Sequence, residues 1–212
     1  MKKNLYIVTP ATRLENLELI HKSIDWSYVT KWIVVYDKKI ISKNPFLFRD
    51  KPNVIELLNL SKKSIRGSGQ RNAGIEYLLK NKNNKGFIYF LDDDNIVHPK
   101  FYNIYSSFKQ EKIYTFNQQV KIRHIRLGNK FNLYHIDTAM FVVNLSLIKN
   151  IRWKMKIHET DYYFIKKCLK TNKNRYVHIN KVGCYYNYLC DKFLKRNIKR
   201  FKTFIYNYVF KF

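Results

Sequence analysis

The chain has 212 residues, 46% hydrophobic and 17% aromatic, which is ample for one folded domain and unlike the composition of a disordered chain. Its 41 Lys and Arg against 15 Asp and Glu give a formal charge of +26, which points to an anionic partner without choosing among nucleic acid, anionic lipid and sugar phosphate. Three cysteines, Cys168, Cys184 and Cys190, form no CxxC pair and are odd in number, which argues against a disulfide framework and a zinc site and favours a reducing compartment.

The first residues, Met1 to Val8, start like a signal peptide, but the apolar run is short and leads into Thr9 and Pro10, so neither a secretion signal nor a membrane span is expected. Leu5 to Val8 reads as a strand, Arg13 to Ser23 as a helix and Trp32 to Tyr36 as a second strand. Ser68 is placed to cap a helix running to Lys80, with Ile75, Leu78 and Leu79 at core-facing spacing. Asn81 to Gly86 reads as a turn into a strand over Phe87 to Leu91. Downstream, a helix is expected over Pro99 to Lys109, strands over Val120 to Arg126 and Phe141 to Val143, a helix over Glu159 to Lys170, and short strands over Tyr176 to Ile179 and Gly183 to Tyr186. This alternation is that of an α/β domain with a largely parallel sheet.

The run Phe87-Ile-Tyr-Phe-Leu-Asp-Asp-Asp-Asn95 carries the chemistry. An apolar strand that ends in Asp92, Asp93 and Asp94 places three mutually repelling carboxylates together in a chain otherwise poor in acids. A solvated acidic turn is the bland alternative. A divalent metal with oxygen ligands, engaged in phosphate chemistry, is the reading preferred.

Beyond Asp191 the composition changes. Residues 191–212 interleave Lys and Arg with Phe, Tyr, Ile and Val and hold no acid after Asp191. Such a segment reads as an interfacial helix for an anionic membrane surface, or as a tail that packs on its own domain or on a partner subunit. The expected organisation is a catalytic domain over 1–190, divided near residue 95 into a nucleotide-sugar half and an acceptor half, with this basic aromatic tail behind it.

Five segments occur in an order with a precedent. Val8-Thr-Pro-Ala-Thr-Arg13, Trp32-Ile-Val-Val-Tyr-Asp37, Arg66-Gly-Ser-Gly-Gln-Arg-Asn72, Tyr89-Phe-Leu-Asp-Asp-Asp-Asn95 and the stretch from His135 to Ile148 together resemble the β-1,3-glucuronyltransferases. These are inverting enzymes of the GT-A glycosyltransferase fold, a Rossmann-like nucleotide-binding half with a mixed sheet joined to an acceptor-binding half. The resemblance spans about residues 5–165.

It implies a UDP-sugar donor, a glycan or lipid-linked acceptor, and Mn2+ or Mg2+ bound by Asp94, with Asp92 and Asp93 orienting ribose, sugar and metal shell. Pro10, Asp37, Arg66, Arg71 and Tyr186 would complete the donor site: Asp37 facing the uracil, the arginines the phosphates or sugar, and Tyr186 the place of the family's diphosphate-binding histidine. Glu159 would be the base, with Asp161 as its rival, and Asp137 would contact the sugar. The chain departs from the family where Ala11 and Thr12 replace a uracil-stacking tyrosine.

The placement implied is cytoplasmic, peripheral at the inner face of the membrane and engaged in bacterial surface polysaccharide synthesis. A homodimer is open, and no specific nucleic acid is expected. The alternatives are a basic nucleic-acid-binding protein, for which no motif is present, and a different GT-A enzyme such as a nucleotidyltransferase.

Overall fold

A computed structural model describes residues 3–43, 46–61, 64–121 and 124–190. The tail over 191–212 therefore lies outside the described residues, and with it the expectation of a membrane-binding segment.

The first half is a parallel layer. Strand β1 (Leu5–Ala11) leads to helix α1 (Leu14–Ser23), β2 (Val29–Asp37), β3 (Val54–Asn59), α2 (Ser68–Lys80) and β4 (Phe87–Phe90). The second half adds β5 (Ile96–Val97), α3 (Phe101–Ser106), β6 (Ile113–Lys121), β7 (His124–Arg126), β8 (Phe141–Asn144), α4 (Thr160–Thr171) and β9 (Tyr176–Tyr185). One mixed sheet runs through both halves in the order β3-β2-β1-β4-β8-β6-β9-β5, with β7 paired to β6. Strands β3, β2, β1 and β4 are mutually parallel, β8 is antiparallel to β4, and β6 and β9 are parallel to each other.

Alternation along the strands explains the two-sided core. Leu5, Ile7, Trp32, Val34, Phe87 and Tyr89 face α1 and α3, while Tyr6, Val8, Ile33, Val35, Ile88 and Phe90 face α2 and α4. Residues two apart share a face, so a strand buried on both faces must be apolar throughout. That is the composition of β1, β2 and β4. Register puts Val8 opposite both Ile33 and Phe90, so the carboxyl ends of these strands finish side by side. The start of β8 and the ends of β6 and β9 fall on the same edge, because β8 runs against its neighbours.

Several sequence expectations shift. The helix expected over Pro99 to Lys109 is limited to Phe101–Ser106. The hydroxyls of Ser106 and Ser107 bond the carbonyls of Tyr102 and Ile104, a local alternative to continued helix. The strand expected over Val120 to Arg126 is two antiparallel strands, β6 and β7, with Lys121 opposite His124. The two short strands expected after Tyr176 are one, β9, whose pairing with β6 shifts register beside Asn117. Strand β3 was not anticipated. Gly67, not Ser68, holds the cap position of α2, in the left-handed region at φ 74°.

Gly74 sets the approach of α2 to the sheet. A Cβ there would lie 2.6 Å from Val8 Cγ1, closer than carbon atoms tolerate. Gly74→Ala is therefore expected to destabilise the protein by about 1–3 kcal/mol through overpacking, although alanine is the better helix former. Urea unfolding would measure it.

Candidate active site

The carboxyl edge of the sheet gathers nearly every side chain singled out in the sequence, as expected where parallel strands end. Its centre is the turn after β4. Asp92 forms an ion pair with Arg71, whose side chain is 3% exposed. Asp93 is buried, and its carboxylate accepts from the Thr12 backbone N–H (2.6 Å), the Thr12 hydroxyl (2.8 Å), the Arg13 backbone N–H (2.7 Å) and the Arg13 guanidinium (2.5 Å). The same guanidinium stands 3.1 Å from Asp94. The three adjacent acids thus have different environments. Asp93, expected to orient the donor, is committed to fastening the β1–α1 loop, while Asp92 and Asp94 border the cleft.

Helix α2 begins with residues that fan out to three elements. Arg66 and Gly67 both take left-handed conformations, and Gly67 packs so closely on Pro10 that a Cβ would fall 2.8 Å from the proline Cβ. This turn brings the Arg66 carbonyl to the Arg71 guanidinium at 2.6 Å. Gln70 donates to Asp37 at 3.2 Å, and Asn72 exchanges two hydrogen bonds with the backbone of Trp153. The Trp153 ring in turn lies 4.8 Å from the Arg71 guanidinium carbon, a cation–π contact. Gly67 against Pro10, Gln70 on Asp37 and Arg71 on the Arg66 carbonyl thus connect the start of α2 to the ends of β1 and β2.

The second half of the chain contributes Asp137 and Asp161. Asp137 precedes a short 3-10 turn, Thr138–Met140, and one of its oxygens accepts from the Ala139 N–H at 3.0 Å and from Gln118 at 2.9 Å. Asp161 lies in the first turn of α4. Burial pushes the Asp161 carboxyl up to about 7 against the pull of Arg71, with Asp92 and Asp137 adding repulsion. Burial and Asp92 likewise raise Asp137 to about 6. Asp94 is raised to about 7 by burial and by Asp92, although Arg13 opposes the shift. These carboxyls form one electrostatic unit around Arg71.

Glu159 is placed differently. It stands at the rim, accepts a 2.5 Å hydrogen bond from Tyr134, and is held below the usual carboxylate range chiefly by that bond. Of the two candidate bases, Asp161 is the one coupled to Arg71, Asp92 and Asp137. The Tyr186 ring is covered by the Arg126 guanidinium at 4.6 Å. The segment after β9 is tied to the acidic turn by Leu189 N–H on the Asp94 carbonyl and Asn187 N–H on the Asn95 side chain.

No family model matches the sequence, and no curated protein matches it. The fold does have solved counterparts. A mannosyltransferase from Pyrobaculum calidifontis, solved with GDP-Man and Mn2+, superposes with a TM-score of 0.60 at 7% identity, covering 94% of this chain and 61% of that one. A 4-diphosphocytidyl-2C-methyl-D-erythritol synthase from Anaerococcus prevotii gives 0.57 at 12% identity, covering 95% and 96%. HddC from Yersinia pseudotuberculosis gives 0.53 at 9% identity, covering 95% and 100%. The fold is GT-A-like. At these identities the likeness extends to architecture alone and does not reach the specific glucuronyltransferase family.

Sequence reasoning missed Gln118, Arg126, Tyr134 and Trp153. Arg13, Gln70 and Asn72 stood inside quoted motifs with no role assigned to them. Asp93→Ala is expected to cost roughly 2–4 kcal/mol of unfolding free energy, because it orphans two backbone donors and one side of an ion pair. Asp94→Ala would cost less, since burial and Asp92 already disfavour its ionised form, a ranking that parallel urea titrations would check.

Proposed function

We propose that the protein transfers a sugar from a UDP-sugar to a hydroxyl acceptor, with inversion at the anomeric carbon and with help from Mn2+ or Mg2+. The observation that carries this reading is the buried Arg71–Asp92 ion pair with Asp161 electrostatically coupled to both. It supports Asp161 as a base beside the acidic end of the sheet.

The metal fits in one way. Among the described residues no three His, Cys, Asp or Glu side chains converge as a closed ion site. Asp94, with Asp92 beside it, offers hard oxygen donors whose mutual repulsion a cation would relieve, and such ions complete their shell with water and phosphate oxygens. When bound, the ion would offset negative charge on the departing diphosphate.

The chain's own groups do the rest. Asp37 and Pro10 border the nucleotide's base and ribose, and Arg66, at the entrance, meets phosphate. Asp161 accepts the acceptor hydroxyl's proton as that oxygen bonds to the anomeric carbon, and the bond to UDP breaks with its electron pair leaving on the phosphate oxygen. A base poised near the working pH suits this role better than Glu159, whose ionised form is already satisfied by Tyr134.

The nucleotidyltransferase alternative needs a cradle for a triphosphate after β1. Here the backbone N–H groups of Thr12 and Arg13 are already bonded to Asp93, and no glycine precedes Gly67. This favours glycosyl over nucleotidyl transfer. The acceptor as a surface glycan or lipid-linked glycan, and attachment to a membrane through residues 191–212, extend the same proposal. Among the described residues no helix is long and apolar enough to cross a membrane.

Calorimetric titration of UDP, with GDP and CMP as controls, is expected to show binding that needs Mn2+ and is lost in Asp94→Ala. UDP affinity unchanged by either would refute the metal assignment. Asp161→Asn is expected to keep UDP binding and lower turnover at least a thousandfold, whereas Glu159→Gln loses less than tenfold. The reverse ranking would return the base to Glu159. Because Asp161 must be deprotonated to act, and its carboxyl is raised to about 7, kcat is expected to rise tenfold per pH unit below that value and level off above it.

A further inference from the structure

Gln118 is fully buried, yet it sits in the middle of β6 on the cleft edge. Its carboxamide is read in one orientation only. Arg126 donates to its oxygen at 3.2 Å, so its nitrogen must face Asp137, to which it donates at 2.9 Å. The Asp137 oxygen that receives this bond also receives the Ala139 N–H at 3.0 Å. Among the described residues, both of these hydrogen bonds to the Asp137 carboxylate fall on that one oxygen. Arg126 itself is fixed by packing on the Tyr186 ring, at 4.6 Å.

We infer that Arg126 and Gln118 form a positioning relay that holds Asp137 with one oxygen turned to the donor sugar. The inference rests on the UDP-sugar reading above. A carboxylate can rotate about its terminal torsion, and a ligand contact made by a freely rotating group loses the benefit of a fixed geometry. Two bonds on one oxygen remove that freedom. An amide flip of Gln118 would present its carbonyl to the carboxylate, two acceptors face to face, and Arg126 forbids it because a guanidinium only donates. Tyr186 then serves the donor site at one remove, by keeping Arg126 in place.

The test compares UDP with the tightest-binding member of a panel of UDP-glucose, UDP-galactose, UDP-N-acetylglucosamine and UDP-glucuronic acid, by calorimetry in Mn2+. The quantity read is the factor by which the sugar tightens binding over UDP alone. Arg126→Met is expected to reduce that factor about tenfold and to change the UDP affinity less than twofold. Asp137→Asn is expected to reduce it to a similar degree, and the double variant to be no worse than Asp137→Asn alone, since the relay acts only through Asp137. Gln118→Glu serves as a second variant, because it is nearly isosteric and keeps the Arg126 contact while removing the N–H given to Asp137; the same loss is expected. Losses that multiply in the double variant, equal losses for UDP and its sugar conjugate, or a wild type for which the sugar adds nothing would each overturn the inference. Failure of the wild type to bind UDP would instead remove the donor reading on which it rests.

Discussion

The site depends on neutralising three consecutive carboxylates at the end of a buried strand. Two carboxylates about 5 Å apart repel by about 3 kcal/mol at an effective dielectric constant of 20, so the turn after β4 could not close on itself without counter-charge. Arg71 comes to it from α2 and Arg13 from the loop after β1. The ends of three parallel strands are thereby drawn to one point. Removing either arginine leaves a partly buried acid without a partner, which is why each is read as structural and electrostatic at once.

Identical residue types in sequence acquire different chemistry from this arrangement. Asp93 receives four hydrogen bonds, two of them from backbone, and becomes a fastening. Asp92 is tied to a single buried guanidinium and keeps 25% of its side chain exposed. Asp94 is pushed up to about 7, so its ionised form is the one under strain. A cation would stabilise that form more than it would a relaxed aspartate. The asymmetry arises in the turn after β4, where the three side chains meet different partners: Arg71 for Asp92, the β1–α1 loop for Asp93 and the Arg13 guanidinium for Asp94.

How far the sequence could be read follows the same physics. Strands buried on both faces, such as Val8 with its neighbours and Phe87 to Phe90, are continuous apolar runs and are legible. Helix α2 matched its expected span from Ser68 to Lys80 because its flanking Gly67 and Asn81 break the pattern at both ends. Strand β6 was not found at its true position, because Thr115, Asn117 and Gln118 give it a polar centre although all three are buried. Their polarity is spent on partners distant in sequence, His178, Asn180 and Asp137. Single-sequence reasoning prices such residues as exposed. The choice between Glu159 and Asp161 was open for a related reason, because two residues of register at a helix start decide which carboxylate enters the cleft.

The distribution of charge bears on the partners of the chain. A formal charge of +26 would draw any polyanion to the surface, whereas the cleft gathers Asp92, Asp94, Asp137 and Asp161 around few cations. A phosphate groove of a nucleic-acid-binding protein requires the opposite, basic side chains tracking the backbone where binding is tightest. The acidic cleft suits a ligand that presents hydroxyl donors to carboxylates and brings its phosphates with a metal ion. In the proposed reading the basic exterior would act on a different scale, raising the local concentration of anionic donors or holding the protein near an anionic surface. Charge outside and chemistry inside have opposite signs, and a partner inferred from net charge alone would be assigned to the wrong part of the molecule.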